Sequence, residues 1–127
     1  MKKITSYESA CKALKLNPKK LPIVTGLPQE HQKALIAHYK LVIIVQALND
    51  GWKPDWRNPG QCKYYPYFYI DGGKKGTSGF GFSATDYVWT YTGTYGSSRL
   101  CFKTRELAEY AGKKFIKLYK EYILIEK

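Results

Sequence analysis

Few residues in this chain are of a type that does chemistry, and their spacing limits what they can do. His31 and His38 stand seven apart on one predicted helix, two turns along a single face. General acid–base or nucleophilic work needs a base within hydrogen-bond reach of its partner and a third group to orient it. Nothing near either histidine in the sequence supplies these. The ten carboxylates are scattered, with no D-x-D or paired-glutamate pattern for a hard cation. Cys11, Cys62 and Cys101 are odd in number and widely spaced, with no C-x-x-C or Cys/His cluster. They read as reduced, partly buried thiols, not as a zinc site or a disulfide framework. The expectation is a protein that is not an enzyme and uses no cofactor or metal.

A glycine-rich stretch, "DGGKKGTSGFGFSA" from Asp71 to Ala84, invites comparison with a phosphate loop. Such a loop needs G-x-x-x-x-G-K-[ST] between a strand and a helix, so that backbone N–H groups and the helix dipole converge on phosphate. Here the glycines run into strand-like sequence, which predicts a hairpin tip with Gly72 or Gly73 at positive φ. Lys74 and Lys75 at that tip are placed to touch a phosphate backbone.

The strongest signal is aromatic. Fourteen of the twenty aromatic residues lie between Trp52 and Phe102, and "CKYYPYFYI" (Cys62 to Ile70) holds five rings in nine positions. Alternation along a strand puts Tyr65, Tyr67 and Tyr69 on one face and Tyr64, Phe68 and Ile70 on the other. Phe68 and Ile70 form the more apolar set and are expected in the core. The three tyrosines, each with a hydroxyl that prefers water or a partner, are expected on the open face, beside Trp89 and Tyr91. Lys63, Lys74, Lys75, Arg99 and Lys103 are near enough in sequence to form a cationic rim. Exposed rings flanked by cations are what binders of single-stranded nucleic acid use, since base–aromatic stacking contributes ~1–3 kcal/mol per base. Cross-strand tyrosine pairs that only stabilise the sheet, or an aromatic protein–protein surface, are the competing accounts. "GFGFSA" is a faint echo of an RNP-type motif and no more.

The elements that position these residues follow from pattern. Thr5 and Glu8 form a candidate capping box. Behind it Tyr7, Ala10, Cys11 and Leu14 make one apolar helical face, which ends at Asn17-Pro18. "NPKKLPIVTGLP" is a connector. A second helix starts at Pro28 and stops at Gly51, and it is apolar nearly all round from Leu41 to Leu48, as a central helix would be. Strand-like pieces follow at Lys63–Ile70, Gly79–Thr92 (with a candidate break at Asp86) and Ser98–Lys103. Pro66 places the first at an edge or a bulge. A last helix begins at Thr104 as N-cap, with Leu107, Ala108, Ala111, Phe115, Leu118 and Tyr122 as its apolar stripe. The expected fold is α+β in a single domain over residues 1–127. It comprises two N-terminal helices, a three-stranded antiparallel β-meander and a C-terminal helix packed on one sheet face.

A net charge of +11 and a pI near 9.5 favour a polyanionic partner. The N-terminus has two lysines but no apolar h-region, and the longest apolar run, Leu41 to Val45, is far short of a membrane span. The expectation is a cytoplasmic protein with no membrane partner.

The segments "YESACKAL", "HQKALIAHYKLVIIVQALNDGWKPDW", "KYYPYF", "GFGFS" and "GSSRLCFKTRELAEYAGKKFIKLYKEYIL" resemble a small-protein family encoded in phages and prophages of Bacteroidetes gut bacteria. The Gly96-Ser97-Ser98-Arg99 turn is one residue longer than that family's "GSRLCF" form. The resemblance implies a phage accessory or structural product, in a bacterial cytoplasm or a virion, and implies no reaction. Residues and resemblance together lead to a non-enzymatic phage protein that binds nucleic acid, single-stranded by preference. Two alternatives stand beside it. One is a structural or interaction protein whose aromatic surface self-assembles or meets a phage or host protein. The other is a counter-defence protein that sequesters a nucleotide signal.

Overall fold

Short polar side chains set where the first helix begins. The computed structural model describes residues 3–70, 80–88 and 97–125, and in it α1 (Tyr7–Leu14) is capped by Ser6, one residue after the expected Thr5. The Ser9 N–H donates to Ser6 Oγ at 3.0 Å, while Ser9 Oγ accepts from the N–H groups of both Thr5 and Ser6 at 2.9 Å. A single hydroxyl thus serves two free donors, and Glu8 is not needed as the return partner. Lys15 closes the helix in the left-handed conformation at φ 59°, before Asn17-Pro18 is reached.

Helix α2 (Gln29–Asn49) follows Pro28 and carries the core. Leu41, Ile43, Ile44, Val45 and Ala47 are all buried, because α1 and α4 (Ile116–Ile123) pack along this helix and α3 (Arg105–Lys114) touches it. Lys33 Nζ reaches Glu121 Oε2 on α4 at 3.1 Å. Asp50 (φ 46°) and Gly51 (φ 90°) then take positive φ in succession. Glycine bears this without steric cost, and Asp is among the few other residues that tolerate it.

Two strands follow, β1 (Lys63–Ile70) and β2 (Phe80–Val88), antiparallel from Lys63↔Val88 to Ile70↔Phe80. β2 runs unbroken through Asp86, and its extra residue is Ser83, between the pairs Tyr67↔Ala84 and Phe68↔Phe82. The expected three-stranded meander is not what forms. Among the described residues the sheet has two strands, and of the segment Ser98–Lys103 only Phe102 joins it, as an isolated bridge to Tyr64.

The backbone explains why. Tyr64 and Phe102 exchange both hydrogen bonds, at 2.9 and 2.6 Å. An antiparallel ladder would next pair residue 66 with residue 100 on the same edge. Residue 66 is proline and has no N–H to give, and the Leu100 N–H is already committed to Ser97 O at 3.0 Å. In the other direction the segment ends two residues later, where Thr104 caps the next helix. Cys101 O and Lys103 N point away from β1, and a side chain satisfies both. Buried Asn49 donates from Nδ2 to Cys101 O at 2.9 Å and accepts the Lys103 N–H on Oδ1 at 3.2 Å. One carboxamide therefore stands where a fourth strand's peptide group would be.

The expected single C-terminal helix is two. Thr104 caps α3 (Arg105–Lys114) as predicted, its hydroxyl accepting from the Leu107 N–H at 3.1 Å. Phe115, at φ −110° and ψ 27°, separates α3 from α4 (Ile116–Ile123). The buried stripe is Ala108, Ala111, Gly112, Phe115 and Tyr119, so Tyr119, left out of the expected stripe, is in the core and Tyr122, counted in it, is at the surface. Phe68 stacks between the Phe80 ring at 5.0 Å and the Tyr119 ring at 4.8 Å, joining the sheet to α4. Tyr110 Oη donates to Ile4 O at 2.6 Å and ties the N-terminal segment to α3. Among the described residues no helix is long and apolar enough to cross a membrane.

Two predictions follow from this junction. Asn49→Ala leaves two buried backbone groups without partners and should cost about 2–4 kcal/mol, read from urea unfolding midpoints. Gln46→Ala, one turn earlier and exposed, should stay within ~0.5 kcal/mol of the parent. Burial also pushes the Cys101 thiol up to about 11 from an ordinary 9.0. The folded state holds that proton to higher pH than the unfolded chain does. Its contribution is therefore full below pH 9 and is lost as pH rises from about 9 to 11. Tyr7 and Tyr119, both raised mainly by burial, add to the loss in the same sense above their ordinary 10.0. Unfolding midpoints measured across this range should fall, and Cys101→Ala should flatten the first part of the fall.

Candidate nucleic-acid interface

Strand β1 sorts its residues differently from simple alternation. Lys63, Tyr65, Tyr67 and Tyr69 share a face, yet Lys63 is wholly buried and Tyr65 is 5% exposed, whereas Tyr67 and Tyr69 are 52% and 45% exposed. The face is covered at its start and open at its end. Its cover at Lys63 is the 56–58 loop, where Asn58 O accepts from Lys63 Nζ at 3.2 Å and the Trp56 ring lies 5.1 Å from the same nitrogen. A carbonyl and an indole face are suitable company for a desolvated ammonium. Two expected site residues are thereby corrected. Lys63 is a structural cation, not part of a rim, and Tyr65 is a core residue, not part of an open platform. On the opposite face Phe68 packs inward as expected, but Ile70, the last residue of the strand, is 55% exposed.

The open part of the face is thus Tyr67 and Tyr69, two residues or about 6.6 Å apart along the strand. Arg99 and Lys103 are exposed and flank the Phe102 bridge. That bridge meets β1 at Tyr64, three residues or about 10 Å from Tyr67. The Arg105 guanidinium lies 5.3 Å from the Tyr64 ring centroid, on the opposite face of the strand. Lys74, Lys75, Trp89 and Tyr91 lie outside the described residues.

Residues not picked out from the sequence as binding candidates gather around Arg99. It lines a cleft of about 460 Å³ with Gln46 of α2 and with Trp52 and Lys53 of the loop that follows α2. The signal was present in "GWKPDWRNPGQ", where two tryptophans alternate with cations. Only the path of the chain shows that Arg99, almost fifty residues on, faces the first of them. Trp56, the second, donates from Nε1 to Ser98 Oγ and so fastens the loop to the turn that carries Arg99.

The histidines stay apart from this region. His38 stacks on the Tyr122 ring at 5.0 Å, and His31 Nε2 lies 3.5 Å from Glu30 Oε1. Among the described residues no group of three or more His, Cys, Asp or Glu side chains is arranged to hold a metal ion. No family model matches the chain, and neither a curated protein nor a solved structure matches it.

Proposed function

We propose that this protein is a non-enzymatic, phage-encoded accessory protein that binds single-stranded nucleic acid, with Tyr67 and Tyr69 as its stacking surface. The observation that carries the reading is the exposure of these two tyrosines on one face of β1 in a chain of net charge +11. A tyrosine ring left in water offers a flat face to any base, whatever its sequence, and long-range attraction to phosphate comes from the summed charge. Arg99 and Lys103, on the segment that meets β1 about three residues along the strand, are the cations nearest in the fold to a backbone running off the tyrosines. The phage setting comes from the sequence resemblance.

Ile70 supports a second reading. It is exposed at the end of β1, on the face opposite Tyr67 and Tyr69, and an exposed aliphatic side chain at a strand end also suits a protein interface. Sedimentation across a concentration series would show a self-association that Ile70→Ser removes, if a second copy is the occupant.

Fluorescence anisotropy with a labelled oligonucleotide tests the leading reading. Tyr67→Ala and Tyr69→Ala should each weaken binding by about 1–3 kcal/mol. Tyr65→Phe and Lys63→Met, both inside the fold, should leave it within about twofold, by the ordinary insensitivity of binding to residues that never meet the ligand. Affinity should fall steeply with added salt. An absence of binding at low salt, or binding indifferent to salt and to both tyrosines, sinks the proposal.

A further inference from the structure

We propose that the cleft between the C-terminal half of α2 and the Trp52 and Arg99 segments binds a nucleoside monophosphate unit, the base against Trp52 and the phosphate between Lys53 and Arg99. The proposal deepens the nucleic-acid reading and rests on it.

Size and chemistry both point this way. About 460 Å³ falls within the roughly 300–1,000 Å³ typical of small-molecule sites. The floor is apolar, formed by Val42 and Val45 on successive turns of α2. Half-buried Trp52 lines the same cleft and supplies an aromatic surface, while exposed Gln46 carries a carboxamide that can both donate and accept toward a base edge. Lys53 and Arg99, from two different segments of the chain, bring two positive charges to the lining of the cleft. Guanidinium and ammonium groups together favour phosphate, the first through paired N–H donors and the second as a point charge.

The remaining polar groups nearby are already committed, which narrows the assignment. Asn49 uses its carboxamide on Cys101 and Lys103, and Ser98 Oγ accepts from Trp56 Nε1. No carboxylate is among the described residues lining the cleft, and Asp55 in the adjoining loop has its Oδ1 engaged by the Arg57 N–H at 3.0 Å. The end of α2 carries roughly half a negative charge from its backbone dipoles, which two full positive charges outweigh. What is left free is a ring, an amide and two cations. That set matches the parts of a nucleotide, and neither an uncharged ring nor a bare anion uses all of it.

The unit has two sources, a free nucleotide or the 5′-phosphorylated end of a strand. Calorimetry with AMP, with adenosine and inorganic phosphate as controls, addresses the first. Competition between 5′-phosphorylated and 5′-hydroxyl oligonucleotides addresses the second. Both are run on the parent and on Lys53→Ala/Arg99→Ala, which removes two exposed side chains and leaves the core intact. AMP binding that exceeds both controls and falls about tenfold or more in the double variant supports the cleft with a free nucleotide as ligand. A preference for the 5′-phosphorylated strand that the double variant abolishes supports it with a strand end. If AMP binds equally to parent and variant, or if neither AMP binding nor a 5′-phosphate preference is seen, the proposal is overturned. In that event, oligonucleotide binding that still depends on Tyr67 and Tyr69 leaves the broader reading standing, and its absence removes both.

Discussion

One carboxamide decides how the two halves of this chain meet. Asn49 ends the central helix, and its side chain supplies the donor and the acceptor that the backbone at Cys101 and Lys103 would otherwise lack. On its other edge the same segment is held by Tyr64 through a bridge one residue long. Phe102, fixed between them, is completely buried. Because unpaired buried backbone groups are costly, the segment cannot shift register without losing bonds on both sides at once. Helix α3 starts two residues later, so its position over the sheet is inherited from this clamp. So is the position of Arg99, on the turn just before it.

The clamp also explains why a basic, aromatic chain does not simply show all its cations and rings to solvent. Lys63 begins the strand that meets Phe102, and the loop leading into that strand has to cross the sheet face. The crossing buries the lysine under Trp56 with a carbonyl as its partner, and the alkyl stem fills space that an apolar residue would otherwise take. Tyr65, on the same face, is buried as well. Beyond it the face is free of that loop, and there the tyrosines emerge. The division of β1 into a buried start and an open end therefore follows from where one loop passes.

Local features were legible in the sequence, and long-range ones were not. The apolar face of α1, the start of β1 at Lys63 and the Thr104 cap follow from patterns spanning fewer than ten residues, where propensity and capping chemistry are decisive. The missing third strand was hidden because its cause is distributed. It needs Pro66 to lack a donor, Leu100 to spend its N–H in a turn, and Asn49, some fifty residues earlier, to satisfy the far edge. "SRLCFK" has good strand composition and only one residue's worth of available edge. The expected stripe of the last helical segment omits Tyr119, although its spacing of four from Phe115 and eleven from Ala108 places it on that face, where it is buried. At the candidate site the exposure of Tyr67 and Tyr69 was readable from alternation. The burial of Lys63 and Tyr65 was not, because alternation says which face a residue shares and nothing about what crosses that face.

The two surfaces that remain are set apart by the same geometry. Tyr67 and Tyr69 lie at the open end of β1, and the Trp52 cleft lies at the end where α2, the 52–58 loop and the Arg99 turn come together. The tyrosines are exposed on a two-stranded ladder, which suits the stacking proposed for them because every base has a flat face. The cleft is walled by the most heavily buried helix and fastened by the Trp56–Ser98 hydrogen bond and the Asn49 clamp. A site on rigid supports loses little freedom when it is filled, which favours recognition of one small, defined shape. On the proposed reading, an open stacking face and a walled cleft would divide the work between tolerance and selectivity, and the bridge at Phe102 fixes the segment that carries Arg99 relative to the strand that carries the tyrosines.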